Sequence, residues 1–115
     1  MLSSADNVVL TFPPRPLSEW ERAQLAEWQA AARERAPDIG LVFISERRTD
    51  HQRVAGRIVI TLRSSQNPAY LVHAPTGLTF WVVATAPDWD TLHRFRTLLV
   101  ALNFIRPVLS EPKAR

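Results

Sequence analysis

The sequence predicts an α+β domain. We expect a two-layer sandwich in the order β-α-β-β-β-β-α, with two helices on one face of a mostly antiparallel sheet of four to five strands. Three observations carry this. A period-two alternation runs through Val54–Leu62, with Val54, Gly56, Ile58, Ile60 and Leu62 on one side and Ala55, Arg57, Val59, Thr61 and Arg63 on the other. A helix-start signature stands at Ser18-x-x-Glu21, where each side chain can satisfy an orphan amide of the other. The β-type segments after Pro37 are joined by connections too short for crossover helices, so neighbours in sequence run antiparallel.

Each element follows from its residues. Asn7–Phe12 is β-branched and apolar and reads as a strand, stopped by Pro13, Pro14 and Pro16. The first helix runs from Ser18 to about Ala36, where Pro37 ends it. Leu25, Trp28 and Ala32 share its apolar stripe, with Trp20 and Ala31 at one margin. Because most of that stripe is alanine, the two tryptophans are its expected anchors. Ile39–Ser45 and Val54–Leu62 form a hairpin around a polar loop, Arg47–Arg53. A second hairpin joins Ala69–His73 to Leu78–Thr85 through Ala74-Pro75-Thr76-Gly77, where proline presets a turn and glycine supplies a positive φ. The last helix is expected from Pro87 to Ile105, on a stripe of Leu92, Phe95, Leu98, Leu99 and Leu102. These bounds give a single domain over residues 7–106, with flexible ends at 1–6 and 107–115.

Composition narrows the function classes. The chain has 115 residues, the length of one domain, and its 46% hydrophobic and 22% charged fractions are ordinary globular values. It holds no cysteine, which removes disulfides, thiolate metal sites and cysteine nucleophiles together. Met1–Phe12 lacks the basic start and apolar run of a secretory leader, and no apolar stretch approaches a membrane span, so a cytoplasmic protein is expected. The sequence pI of about 10.5 overstates the basicity, because the net charge is only +3. The cause is that 13 of the 14 basic residues are arginine, which does not titrate near neutrality. An arginine- and alanine-rich, lysine-poor chain also fits a GC-rich bacterial genome.

No motif of catalysis or cofactor binding is present. The three glycines are far apart, so no phosphate-cradling loop exists, and no serine elbow occurs. Asp90 and His93 would share a helical face, which is too little for a metal site. No cofactor and no metal is expected, and an enzyme is the less favoured reading.

Charge distribution points to one surface. Residues 39–86 carry five arginines against two acids. Arg47, Arg48, His51 and Arg53 crowd one loop, and Arg57 and Arg63 project from one face of the next strand. Guanidinium groups offer planar, paired donors to carboxylates and phosphates. Trp81 is expected on that same outward face, between Thr79 and Val83. The reading is a small bacterial interaction or regulatory protein that binds an acidic protein partner through this hairpin. The alternative is a nucleic-acid binder, including a toxin-like ribonuclease, in which arginines hold the backbone and Trp81 stacks on bases. An outward face carrying Val59, Trp81 and Val83 is too apolar to stay wet, so a homodimer is also expected.

Overall fold

The structure, a computed structural model, describes residues 14–48 and 54–110. Helix α1 (Glu19–Arg35) leads into strands β1 (Ile39–Arg48), β2 (Val54–Leu62), β3 (Pro68–His73), β4 (Trp81–Thr85) and β5 (Leu92–Phe95), followed by helix α2 (Leu98–Ile105). The five strands form one antiparallel sheet in sequence order, a meander. Both helices lie on one face of it, which is the expected α+β sandwich. The expected strand Asn7–Phe12 lies outside the described residues.

Helix α1 begins as its sequence requires. The Ser18 hydroxyl accepts from the Glu21 amide at 3.1 Å, and the Glu21 carboxylate accepts from the Ser18 amide at 2.9 Å. Its buried stripe is Leu25, Trp28 and Ala32. Trp28 is fully buried, whereas Trp20 is 76% exposed. The anchoring therefore rests on one tryptophan, and the alanines let the helix approach closely. Leu25, Trp28 and Ala32 meet Ile58 and Ile60 of β2, Val72 of β3, Trp81 and Val83 of β4, and Leu98, Ala101, Leu102 and Ile105 of α2 in one core. Each such buried aliphatic side chain contributes about 1.5–3 kcal/mol.

The last helix is shorter than its apolar stripe suggests. Residues 92–95 form a strand instead, with Arg94 opposite Val82 and Phe95 opposite Trp81. The stripe fits a helix, but Leu92-His93-Arg94-Phe95 also fits a strand with His93 and Phe95 turned to the core. The chain reverses before it through Ala86–Asp88, with the Ala86–Pro87 peptide cis and Trp89 at φ 62°. Thr97 then caps α2, its hydroxyl accepting from the Val100 amide at 3.2 Å. The rings of His93 and Phe95 pack on Phe104 at 4.6 and 5.0 Å between centroids, which fixes α2 against β5. Ordered packing continues past Arg106. Val108 is buried, its carbonyl accepts from Arg35 at 3.0 Å, and the Leu109 carbonyl accepts from Asn103 at 2.8 Å. Residues 111–115 lie outside the described residues.

Two turns depend on particular residues. Gly77 has φ +82°, in the turn closed by the Leu78 amide on the Pro75 carbonyl, so the positive φ expected there is found. Between Ile39 and Val42 the β1–β2 register shifts by a bulge. The buried Thr61 hydroxyl fills it, accepting from the Leu41 amide at 2.8 Å. A Cβ on Gly40 would stand 2.9 Å from that hydroxyl and 3.1 Å from the Leu62 carbonyl carbon, so only glycine fits. Replacing Thr61 by the isosteric valine leaves the Leu41 amide unsatisfied in the bulge. We expect Thr61→Val to lower stability by about 1–3 kcal/mol in urea unfolding; an unchanged midpoint would show that the hydroxyl does not hold the bulge.

Candidate functional site

The expected basic hairpin is only partly within the described residues. Backbone pairing reaches Arg47 opposite Ala55 and Arg48 opposite Val54. Residues 49–53, which include His51 and Arg53, lie outside the described part, as do the side chains of Arg47 and Arg48. Arg57 pairs with Ser45 on the face away from the helices. Arg63 does not join this group. It follows β2 at the end away from the loop, nine residues or about 30 Å from Val54 at the strand rise, and its amide donates to the Asp38 carbonyl at 2.9 Å.

Trp81 is also not where the alternation suggested. Val83 pairs with Val72 and Val82 with His73. Since Val72 faces the helices, so do Trp81 and Val83, and the outward residues of β4 are Val82 and Ala84. Every residue from Trp81 to Ala84 is apolar, so alternation alone could not choose the face. Arg57 and Trp81 are therefore on opposite faces, and the shared arginine–aromatic surface is not formed.

Across the strand pair from Arg57 lies His73, only 2% exposed. Among the described residues neither of its ring nitrogens has a hydrogen-bond partner. Burial, with a smaller contribution from the Arg57 charge, pushes its pKa down from 6.5 to about 4. The folded state thus resists a proton that the unfolded chain accepts. Stability present above pH 6.5 is lost as pH falls toward 4, by about 3 kcal/mol over the full window. We expect His73→Leu to remove most of that slope in urea midpoints measured from pH 7 to 4.5; parallel slopes for both proteins would refute it.

The described residues form a concave site elsewhere. A cleft of about 420 Å³ opens between the start of α1, the β3–β4 connection and the start of α2. Trp81 is its floor, and the exposed Trp20 stands at its mouth. Arg15 lies over the Trp81 ring at 5.1 Å from the centroid. It holds Glu21 through two hydrogen bonds of 2.8 and 2.6 Å. The Arg15 guanidinium, helped by the Ser18 amide and hydroxyl, keeps the Glu21 carboxyl below its ordinary range, while partial burial opposes this. Glu21 is thus already occupied. On the opposite wall Arg96 makes no ion pair among the described residues. It directly precedes Thr97 and the amides of Leu98 and Leu99, which have no helical acceptor. One wall is aromatic and the other carries a guanidinium beside a helix start. That arrangement suits a carboxylate on an apolar stem.

The cleft was not visible in the sequence. Arg15 reads as part of a proline connector, Trp20 as a margin of the core, and Arg96 as the interior of a longer helix. The one available signal was Thr97 before Leu-Leu-Val, a helix cap that would have placed Arg96 just outside α2.

Among the described residues no group of three or more His, Asp or Glu side chains is placed to hold a metal ion. Asp90 precedes β5, and His93 is packed on Phe104, so the two do not share a helical face. No helix among the described residues is long and apolar enough to cross a membrane. Compared with protein-family models, curated proteins and solved structures, the chain has no significant match.

Proposed function

We propose that this chain is a non-enzymatic interaction protein that takes up an acidic segment of a protein partner, with the cleft between α1 and α2 as its recognition site. The observation that carries the reading is Trp20, exposed at the mouth of a cleft whose far wall presents Arg96. Tryptophan and arginine are the residues most often found to dominate binding energy at protein interfaces. Glu21, the one carboxylate of the cleft, is held by Arg15 and Ser18 and so repels an incoming acid less. The arginines of the β1–β2 hairpin add long-range attraction for the same partner. The nucleic-acid alternative loses the base-stacking half of its surface, because Trp81 is on the helix side of the sheet.

Panning a random peptide display library on the protein tests this. Peptides rich in Asp and Glu with an aromatic or aliphatic neighbour are expected. Trp20→Ala and Arg96→Glu should each weaken the selected peptides about tenfold or more, a loss of about 1.4 kcal/mol. Peptides without acidic bias, or peptides indifferent to both substitutions, would overturn the reading. A steeply salt-dependent shift of random RNA that Arg96→Glu leaves unchanged would replace it with the nucleic-acid one.

A further inference from the structure

We propose that residues 8–12 cross the outer face of the sheet, the one away from the helices, and close it as a third layer of the fold. This goes beyond the cleft and does not depend on it, since the cleft opens on the helix side.

The outer face is covered although no described element lies on it. Val59 of β2, His73 of β3, and Val82 and Ala84 of β4 point away from the helices, as their pairing requires. Val59 is opposite Leu71, Leu71 opposite Ala84, and His73 opposite Val82. All four are buried, Val82 completely, and the single chain buries them by itself. Val59, Val82 and Ala84 have no part in the core that both helices share with the sheet. The free face of an antiparallel sheet is wetted by solvent, so these side chains need chain above them. The burial also has borders. Phe43, opposite Val59 on β1, is half exposed, Leu41 is more so, and Arg94, opposite Val82 on β5, is exposed. Arg94 stacks on Phe80 at 4.9 Å, but that pair can shield only the β5 side of Val82 and stands at least two strands from Val59. A cover confined to β2, β3 and β4 suits one segment of chain.

The N-terminal segment arrives at the right place. Leu17 belongs to the core on the helix side, and Arg15 lies over Trp81 there. The Arg15 amide donates to the Ala74 carbonyl at 2.8 Å, and Pro14 bridges to Pro75, just beyond His73 at the end of β3. The chain that precedes Pro14 therefore meets the end of the sheet, beside the buried patch, where it can pass to the other face. Of residues 1–13, 49–53 and 111–115, only the first stretch carries large apolar side chains, Val8, Val9, Leu10 and Phe12 among them. Five extended residues reach about 17 Å, against about 10 Å from β2 to β4. Val8, Leu10 and Phe12 alternate, the spacing of a strand laid with one apolar side down. A second copy, expected from the sequence to hide an apolar outer face, is not needed for this.

Nuclear Overhauser contacts in the full chain test the proposal. Leu10 and Phe12 should show them to the methyls of Val59 and Val82 and to the ring of His73. No contact from residues 8–12 to this face overturns it, as do contacts to the face from residues 49–53, from 111–115, or between copies in a half-labelled sample. His73 gives a second readout, because its pKa of about 4 is chiefly the result of burial. In the full chain carrying Leu10→Ser and Phe12→Ser it should titrate nearer its ordinary 6.5, while the Trp28 indole N–H keeps its resonance. A His73 that still titrates near 4 in that variant overturns the proposal. Should the double substitution unfold the chain, as loss of the Trp28 resonance would show, the wild-type contacts decide alone.

Discussion

The indole of Trp28 donates to the Arg106 carbonyl at 3.0 Å, and the rest of the sandwich depends on that contact. Trp28 is the one large anchor on an otherwise alanine-rich helix face. Its ring is fully buried, so its N–H must find an acceptor inside the protein, and the acceptor is at the end of α2. The same residue reaches the turn between α1 and β1. The Arg106 guanidinium pairs with Asp38, accepting geometry being met at both carboxylate oxygens, and holds that carboxyl below its ordinary range. Three segments remote in sequence are thus fixed at one residue. This junction adds a polar lock to the apolar core that both helices share with the sheet.

What could be read from the sequence divides along the same line. Local rules were sufficient for the Ser18–Glu21 capping box, for the whole of β2 and for the turn at Gly77, because each is decided by residues within a few positions. They were insufficient where two periodicities coincided. Leu92 and Phe95 fit a helical stripe while His93 and Phe95 fit a strand alternation, and the Thr97 cap decides between them. On β4 the run of four apolar residues satisfied either face, and only the pairing of Val72 with Val83 places Trp81 in the core. The cleft fails for a third reason. Arg15, Trp20 and Arg96 are brought together by the junction of both helices, and no local pattern encodes it.

The fold separates its charges and its apolar exposure into different places. The wall of the cleft that bears Arg96 is at the β5 side, while the long apolar edge is at the β1 side, with the basic hairpin at its end. A sheet built as a meander makes this possible, because each strand spends its hydrogen bonds on its sequence neighbours and, among the described residues, only β1 and β5 pair on a single side. The bulge at Gly40 and Leu41 bends the first of these edges without interrupting it.

The junction at Arg106 also governs the order in which the chain can become a domain during its synthesis. Every strand pair is available as soon as the next strand has left the ribosome. Helix α1 emerges before all of them, yet the carbonyl that receives its tryptophan, and Val108 beneath Arg35, emerge after all of them. Until that part of the chain is present, the Trp28 N–H lacks its acceptor and the α2 side of the core is open, although the sheet can already cover the rest. The packing of the first described helix is thus complete only with the last described segment, and a chain cut short before Arg106 would present part of this apolar core to solvent.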